Sequence, residues 1–475
     1  LPPIQGVIIA TAPPRAIAVT YYFAEGYTGQ AASNGKVSYL ETLNLLNPST
    51  ARAPVTITYY FAGQGRPLSV SRMVGPQSAL RERVNSDVGP DRVVSAVVRS
   101  TGKIYASRTI TRIGAKGARL DGSTTLPATA PSRNWDFAEG FTGAAFQEYL
   151  ALFNPSSGTA TVTLRSAPQA NAAATTLPLS VPVPALGRVT VNLHALYLSA
   201  KVTTSGVLVR ADRPVVAERV EYFGNGIGSN KAGSMATLGM APTSGQRSLR
   251  IPFVGSGGTM PGKMGQAIGD QAYIALLNPI ASGKTVTVTA GFSDARGHAL
   301  GRPVIVKVAA GTRQTVGVNA AVGSAAVAPF SVALSATGPI EAESAQYFGG
   351  SPNAAAVPGV IVPASAVPVT DALFTDLSGT LADGTQLKRK VYLYNPNGAT
   401  VRITATYFTG SGALSHSTDY TVPADGITTV NIQAEATSTG ILGAEFRSSS
   451  GFIAMAIGLT GDGLCALEEP ASARY

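Results

Sequence analysis

One cysteine, one tryptophan and three histidines are spread over 475 residues. A single thiol, Cys465, cannot close an intrachain disulfide, so each folded unit must hold itself together by its own core. Three scattered histidines (His194, His298, His416) and one cysteine do not make a zinc site. Charge is scarce too: Asp, Glu, Lys and Arg make up 13% of the chain, about half the usual share. Ser, Thr, Gly and Ala fill the surface instead, and such a surface repels neighbours little and suits packing against copies of itself. No long apolar run is present. The most apolar stretch, residues 320–336, is broken by Gly323 and Pro329, so no membrane span is expected, and no C-terminal anchor is seen. The chain starts at Leu1 with no basic-then-apolar leader, which reads as an already removed export signal.

What is present is a motif stated four times. Asn-Pro closes an apolar run at Asn47-Pro48, Asn154-Pro155, Asn278-Pro279 and Asn395-Pro396, with successive spacings of 107, 124 and 117 residues. A period that long is a whole small domain, each able to bury its own core. A Thr-Val alternation follows each motif, as at Val55-Thr56-Ile57-Thr58 and Thr285-Val286-Thr287-Val288. Period two with β-branched residues marks half-buried strands, and about seven short strands with turn signals fit each repeat. No segment carries a helical period. The fold class expected is all-β: a tandem array of four immunoglobulin-like antiparallel β-sandwich domains. Their spans are 21–134, 135–250, 251–370 and 371–475, after an extended arm at 1–20. Short Pro-containing linkers at residues 125–131, 240–244 and 358–368 predict a semi-rigid row of four beads.

Repeat two opens with Phe137-Ala138-Glu139-Gly140-Phe141-Thr142-Gly143, continues with Glu148-Tyr149-Leu150 and Leu152-Phe153-Asn154-Pro155, and ends with Arg213-Pro214-Val215-Val216-Ala217-Glu218-Arg219 and Tyr222-Phe223. These segments resemble a repeat of bacterial secreted and cell-surface proteins, a family without a defined function. Repeat one keeps most of the pattern (Phe23-Ala24-Glu25-Gly26), while repeats three and four keep only Phe253 and Phe374 of the opening. The resemblance implies an exported, non-enzymatic surface protein and transfers no catalytic residue.

Candidate chemistry is thin. The segment 257–264 lacks the final Ser or Thr of a phosphate-binding loop, and no helix follows it. Glu25 and Glu139 recur at the same turn, where a carboxylate beside Gly could bind calcium or, as we expect, accept backbone N–H groups; no Asp-x-Asp-x-Asp-Gly loop exists. His194 aligns with Asn85, Asn319 and Gln433, so that position asks for a polar strand-end side chain. The basic residues of repeat one (Arg81, Arg83, Arg92, Arg99, Arg108, Arg112) lie on separate strands without interleaved aromatics, so a solvated or partner-facing patch is expected and nucleic acid is not a partner. No catalytic, cofactor or metal site is assigned, no cofactor is expected, and the chain is read as a non-enzyme.

Charge placement is uneven. Residues 1–134 carry 15 basic and 6 acidic side chains, a net of +9, and residues 371–475 carry 6 and 10, a net of −4. The arm, with Val7, Ile8 and Ile9, is similar to the junction Gly359-Val360-Ile361-Val362-Pro363. The arm could pack on its own repeat one; the reading taken here is head-to-tail assembly in which the arm of one molecule adds a strand to repeat four of the next. Val7, Ile8 and Ile9 are the candidate assembly interface. The function expected is a structural subunit of an extracellular bacterial filament, sheath or surface layer. The alternative is a cell-surface adhesin or glycan-binding array, with cell-wall or surface polysaccharide as its partner.

Overall fold

The computed structural model describes residues 18–473 except 31–36, 64, 115–118, 144, 170–178, 200–202, 224–232, 242–245, 253–258, 261–267, 270, 280–282, 324–328, 349–358, 365–366, 381–383, 385, 436–439, 441–442, 461–465 and 471. The arm residues Val7, Ile8 and Ile9, and also Cys465, therefore lie outside the described residues.

The chain is nearly all β, in antiparallel sheets. Repeat one shows the pattern: β1 (Val19–Phe23), β2 (Val37–Asn47), β3 (Ala53–Phe61), β4 (Leu68–Val74), β5 (Ser78–Arg83), α1 (Val84–Val88), β6 (Val94–Ser100), β7 (Tyr105–Gly114) and β8 (Arg119–Thr125). One sheet runs β1-β6-β3-β4 and the facing sheet β5-β2-β7-β8. Alternation explains the sandwich. In β3, Ala53, Val55, Ile57 and Tyr59 turn inward onto Leu43, Leu45 and Val98, while Pro54 and Thr56 are exposed. The other repeats reuse this order. In repeats two and four the sixth and seventh strands fuse into one long strand, Ser205–Phe223 and Gly443–Thr460, whose first part pairs in one sheet and second part in the other.

Two elements per repeat differ from the sequence expectation. Among the described residues each sandwich carries an eighth strand beyond the seven expected, and in repeat four Ser472–Ala473 pairs in addition with Val369–Phe374. The eighth (β8, Gly233–Leu238, Gly359–Pro363, Ala466–Pro470) falls in or near segments read as linkers or tails, because five to seven residues beside Pro and Gly carry no clear alternation. One short helix follows the fifth strand in every repeat: α1, Leu193–Ser199, Val318–Val322 and Ile432–Glu435. Four to seven residues are too few to show a helical period. Its second residue is the polar position noted above, and it serves the second strand. Asn85 Oδ1 accepts from Glu41 N, Asn319 Oδ1 from Ala272 N, and Gln433 Oε1 from Arg389 N.

The Asn-Pro asparagine does more than end a strand. Asn47 Nδ2 donates to the carbonyls of Ala51 and Gly75, while its Oδ1 accepts from Ser49 N. Asn154 and Asn395 repeat this set. Each buried side chain ties the turn after the second strand to the fourth strand or its exit, satisfying carbonyls that would otherwise be buried unpaired.

The repeats do not lie in a row. The eighth strands neighbour one another in a closed circuit: β8 beside Gly233–Leu238, that beside Gly359–Pro363, that beside Ala466–Pro470, and that beside β8 again. Repeat four touches repeat one directly. Leu373 and Phe408 pack on Leu46 and Ala79, and Ala79 N donates to Thr409 O at 3.0 Å. The expected rod is thus corrected to a four-membered ring. Linker stiffness alone pointed to a rod, but linkers fix only consecutive neighbours, whereas side-chain packing decides whether the ends meet. Small-angle scattering should give a radius of gyration of about 23 Å, as for a compact chain of this length. A value near twice that would restore the row of beads.

Candidate functional site: the junctions between repeats

The side chains with unusual chemistry converge where one repeat meets the next. At the junction of repeats one and two, the opening loop of repeat one inserts against repeat two. Ala24 N and Glu25 N donate to the two oxygens of Glu218 at 2.9 and 3.2 Å. Arg108 pairs with Glu218 at 2.7 Å and also donates to Glu25 O. Arg188 of repeat two pairs with Glu25 at 3.1 Å and donates to Gly26 O and Val94 O.

The junction of repeats two and three is the same device moved along one repeat. Glu139 N donates to Glu343 at 2.6 Å, Arg219 pairs with Glu343 at 3.3 Å, and Arg313 pairs with Glu139 at 2.9 Å while donating to Gly140 O. Strand register makes the equivalence explicit. Glu218 faces Ala151 and Glu343 faces Ala275, each three residues before its Asn-Pro. Arg188 faces Phe153 and Arg313 faces Leu277, each one residue before it.

The opening motif is now legible residue by residue. Phe23 and Phe137 fill cores; Ala24 and Ala138 are fully buried against the following repeat. Gly140 is required by close approach, since a Cβ there would lie 2.2 Å from Ser205 O. Thr28 Oγ1 donates to Gly89 O and accepts from Arg92 N. The glutamate does not accept the loop's own N–H groups, as expected from sequence. It reaches an arginine of the next repeat, and a neighbouring carboxylate takes the N–H groups instead. That division of labour spans two repeats and cannot be seen within one.

Repeats four and one meet through a reduced version. Asp376 stands where Glu25 and Glu139 stand, and it pairs with Arg81 at 2.6 Å; Thr375 Oγ1 donates to Ser107 Oγ, the counterpart of Glu218. One basic residue of repeat one, Arg81, therefore meets an acidic residue of repeat four within one molecule. Repeats three and four meet without this set. Ile427 and Met455 take the arginine and glutamate positions and join Tyr392, Tyr394, Ile453 and Ile457 in the core cluster of repeat three.

The arginines of repeat one are thus not a single solvated patch. Arg108 and Arg112 are each 1% exposed, with Arg112 bonded bidentately to Asp121. Their signal lay in the other repeats: Arg188, Arg313, Glu218 and Glu343 align only when strands are registered on Asn-Pro. Trp135 Nε1 donates to Val215 O, and Tyr21 in the same place in repeat one donates to Ile104 O. His194 sits half-buried on its short helix, His298 is exposed and pairs with Asp294, and the side chain of His416 lies outside the described residues. Most of the glycine-rich segment 257–264 also lies outside them. Among the described residues no group of three or more His, Cys, Asp or Glu is placed to hold a metal ion, and no helix is long and apolar enough to cross a membrane.

Two junctions carry more carboxylates than guanidinium groups. Glu41, behind the first loop, is pushed up to about 8 by burial, against the pull of Arg108 and Arg188 and with Glu25 adding to the rise. Its counterpart Glu148 is raised well above the usual range by burial and by the facing Glu221, and both its oxygens lack a hydrogen-bond partner. Glu221 is pushed up to about 7 by burial, with Arg219 opposing. The junctions therefore bind protons that the unfolded chain releases above its ordinary Glu pKa of about 4.3.

Comparison with known proteins adds little: no family model and no curated protein matches the chain. Among solved structures, Thermotoga maritima 1070 is 18% identical, with a TM-score of 0.20, over 23% of this chain and 92% of that one. A tetra-tandem repeat from the extending region of a large adhesion protein is 11% identical, with a TM-score of 0.10, over 92% of this chain and 96% of that one. Both scores are too low to carry a conclusion.

Two outcomes follow from the junctions. Arg219→Ala strands Glu343 in a buried site and should cost about 3–5 kcal/mol in denaturant unfolding. The proton linkage of Glu41 runs one way: its folded pKa is raised, so its stability contribution is full below about pH 4.3 and is lost as pH climbs through 8. Glu41→Gln keeps the shape and removes the linkage. Its melting temperature should exceed that of the parent at pH 8 and fall less steeply between pH 5 and 8, and equal slopes would show that Glu41 is ionised throughout.

Proposed function

We propose that this chain is a non-catalytic structural and binding module of an exported, surface-associated bacterial protein, working as one ring of four immunoglobulin-like domains with boundaries near 134, 250 and 370. One observation carries the reading: the surfaces that end-to-end growth would use are already joined within the molecule. The opening loop of repeat four sits on repeat one through Asp376–Arg81, Thr375–Ser107 and the packing of Leu373 and Phe408 on Leu46 and Ala79. The same contact pairs one basic side chain of repeat one with one acidic side chain of repeat four. This favours a unit that presents a rigid surface, as an adhesin or glycan-binding protein does, over a subunit that polymerises through its termini. The non-catalytic reading is supported by where the reactive side chains lie. The clustered carboxylates are buried at the junctions, shielded from any substrate, and the guanidinium groups beside them are committed to ion pairs and backbone carbonyls.

Sedimentation at rising concentration and low salt tests this directly. A single species of one chain is expected throughout. Concentration-dependent growth into filaments would reverse the order of the two readings, and turnover of a polysaccharide by the purified chain would end the non-catalytic one.

A further inference from the structure

One pair of equivalent positions recurs at every junction. The first is the residue before the opening Phe: Tyr22, Asp136, Pro252 and Leu373. The second lies on the seventh strand of the next repeat around the ring, opposite the residue before Asn-Pro. Val216 faces Phe153, Glu341 faces Leu277, Ile453 faces Tyr394 and Tyr105 faces Leu46. Three of the four junctions carry apolar or aromatic side chains at both positions. Tyr22 packs on the core cluster that holds Val216, Leu373 shares a cluster with Tyr105, and Pro252 and Ile453 line one cavity. At the junction of repeats two and three both positions carry a carboxyl group. Asp136 and Glu341 are hydrogen-bonded to each other through their side chains.

A hydrogen bond between two carboxyl groups needs a proton, because two carboxylates are acceptors only. The surroundings call for the same proton. Asp136 is fully buried and Glu341 is 8% exposed. The charged groups that face them are Arg210, on the sixth-strand part of Ser205–Phe223 in repeat two, and Glu343, two residues beyond Glu341. Arg210 is committed to Asp136 of its own repeat, with Nη2 at 3.2 Å from Oδ2, and its side chain is partly in solvent. Glu343 is already held by Arg219 and by Glu139 N. One guanidinium is therefore left for two carboxyl groups, and Glu341 Oε2 has no hydrogen-bond partner. A second carboxylate here would be buried beside the first without a cation of its own, which is costly. Accordingly, Glu341 is pushed up to about 9 by burial and then by Asp136, with Arg210 opposing, and Asp136 is itself raised by burial.

We propose that the junction of repeats two and three is a proton-operated latch, in which one proton held between Asp136 and Glu341 ties the two repeats together and its loss leaves two buried carboxylates that drive them apart. The proton resides on Glu341, which donates to the Asp136 carboxylate, and it passes to water when the junction opens. In the opened junction Glu341 has the ordinary Glu pKa of about 4.3. In the closed one it is raised, so opening releases a proton at any pH between the two values. The contribution of the latch is full below about pH 4.3 and is lost as pH climbs through 9. The other junctions, with apolar or aromatic side chains at these positions, have no such proton to lose there. The latch does not depend on what the ring binds.

Hydrogen exchange on the full chain tests it between pH 6 and 8, read at residues 136–142 and corrected for the intrinsic pH dependence of exchange. Glu341→Gln keeps the shape and a donor toward Asp136 but has no proton to release. Glu148 and Glu221 also bind protons at this junction, so the quantity that decides is the ratio of parent to variant opening constants at each pH. That ratio should rise by roughly tenfold per pH unit. Glu341→Ile places there the residue type that repeat four carries at Ile453; it should behave as Glu341→Gln does and keeps the test readable if the amide variant does not fold. At residues 22–28, in the junction of repeats one and two, the ratio should stay constant with pH. Two results overturn the proposal. A constant ratio at 136–142 in both variants would show that opening releases no proton from Glu341. An equal rise at 22–28 would assign the proton to unfolding of the whole chain instead of to this junction.

Discussion

A peptide loop pressed between two folded bodies leaves its N–H groups with nowhere to go. Most of this structure answers that one constraint. The Phe-Ala-Glu-Gly loop is buried against the next repeat, and its amides need an acceptor there. Glu218 and Glu343 supply it from the middle of a neighbouring seventh strand. A carboxylate so placed is fully buried and must be neutralised, which calls for Arg108 and Arg219 on the loop's own repeat. Those arginines also bond the loop carbonyl at Glu25 or Glu139, so the donor and acceptor sides of the same peptide segment are met by one ion pair. A second arginine from the fifth strand then holds the loop glutamate and the glycine carbonyl. Buried ion pairs of this kind add little net stability over an apolar contact. They do fix register, because a carboxylate that slips by one residue loses its arginine and its two amides together.

The junction of repeats three and four shows the alternative within the same molecule. There the fifth strand presents Ile427 and the seventh presents Met455, and repeat three opens with Phe253-Val254-Gly255 instead of Phe-Ala-Glu-Gly. Loop glutamate, acceptor glutamate and clamping arginine are all missing together. That joint loss is what a coupled device predicts, since any one of these charges left alone in the interface would be unpaired. An apolar junction is less particular about register, but here two consecutive linkers already constrain where repeat four can dock.

Much of the fold could be read from the residues because period-two alternation and the Asn-Pro repeat are local signals. The strands from 53–61, 286–294 and 401–408 lie where Thr-Val alternation put them. The eighth strands and the short helices were illegible because each is only four to seven residues long and owes its form to a neighbour. The junctions were harder still. Glu25 and Glu139 were visible as recurring residues, but their partners lie 163 and 174 positions away, in another repeat. Arg81 looked like part of a basic patch and is instead the partner of Asp376, 295 positions on. Proximity of that order follows from closure of the ring, and no pattern within a repeat encodes closure.

Fusion into one chain explains why the four junctions are allowed to differ. A ring of four identical subunits must use one interface four times, so a change in it is repeated at every contact. In a single chain each junction can vary alone, and three of the four are helped by a short peptide linker that keeps the partners at high effective concentration. The fourth, between repeats four and one, has no such linker. It is also the junction with the sparest ionic set. Ala79 stands in the place of the clamping arginine, Ser107 in the place of the acceptor glutamate, and Arg81 keeps a fifth of its side chain in solvent, where Arg188 and Arg313 are almost wholly buried. The closing contact is thus the most hydrated ion pair among the junctions and the one that salt can screen most readily. A ring built this way has one natural seam.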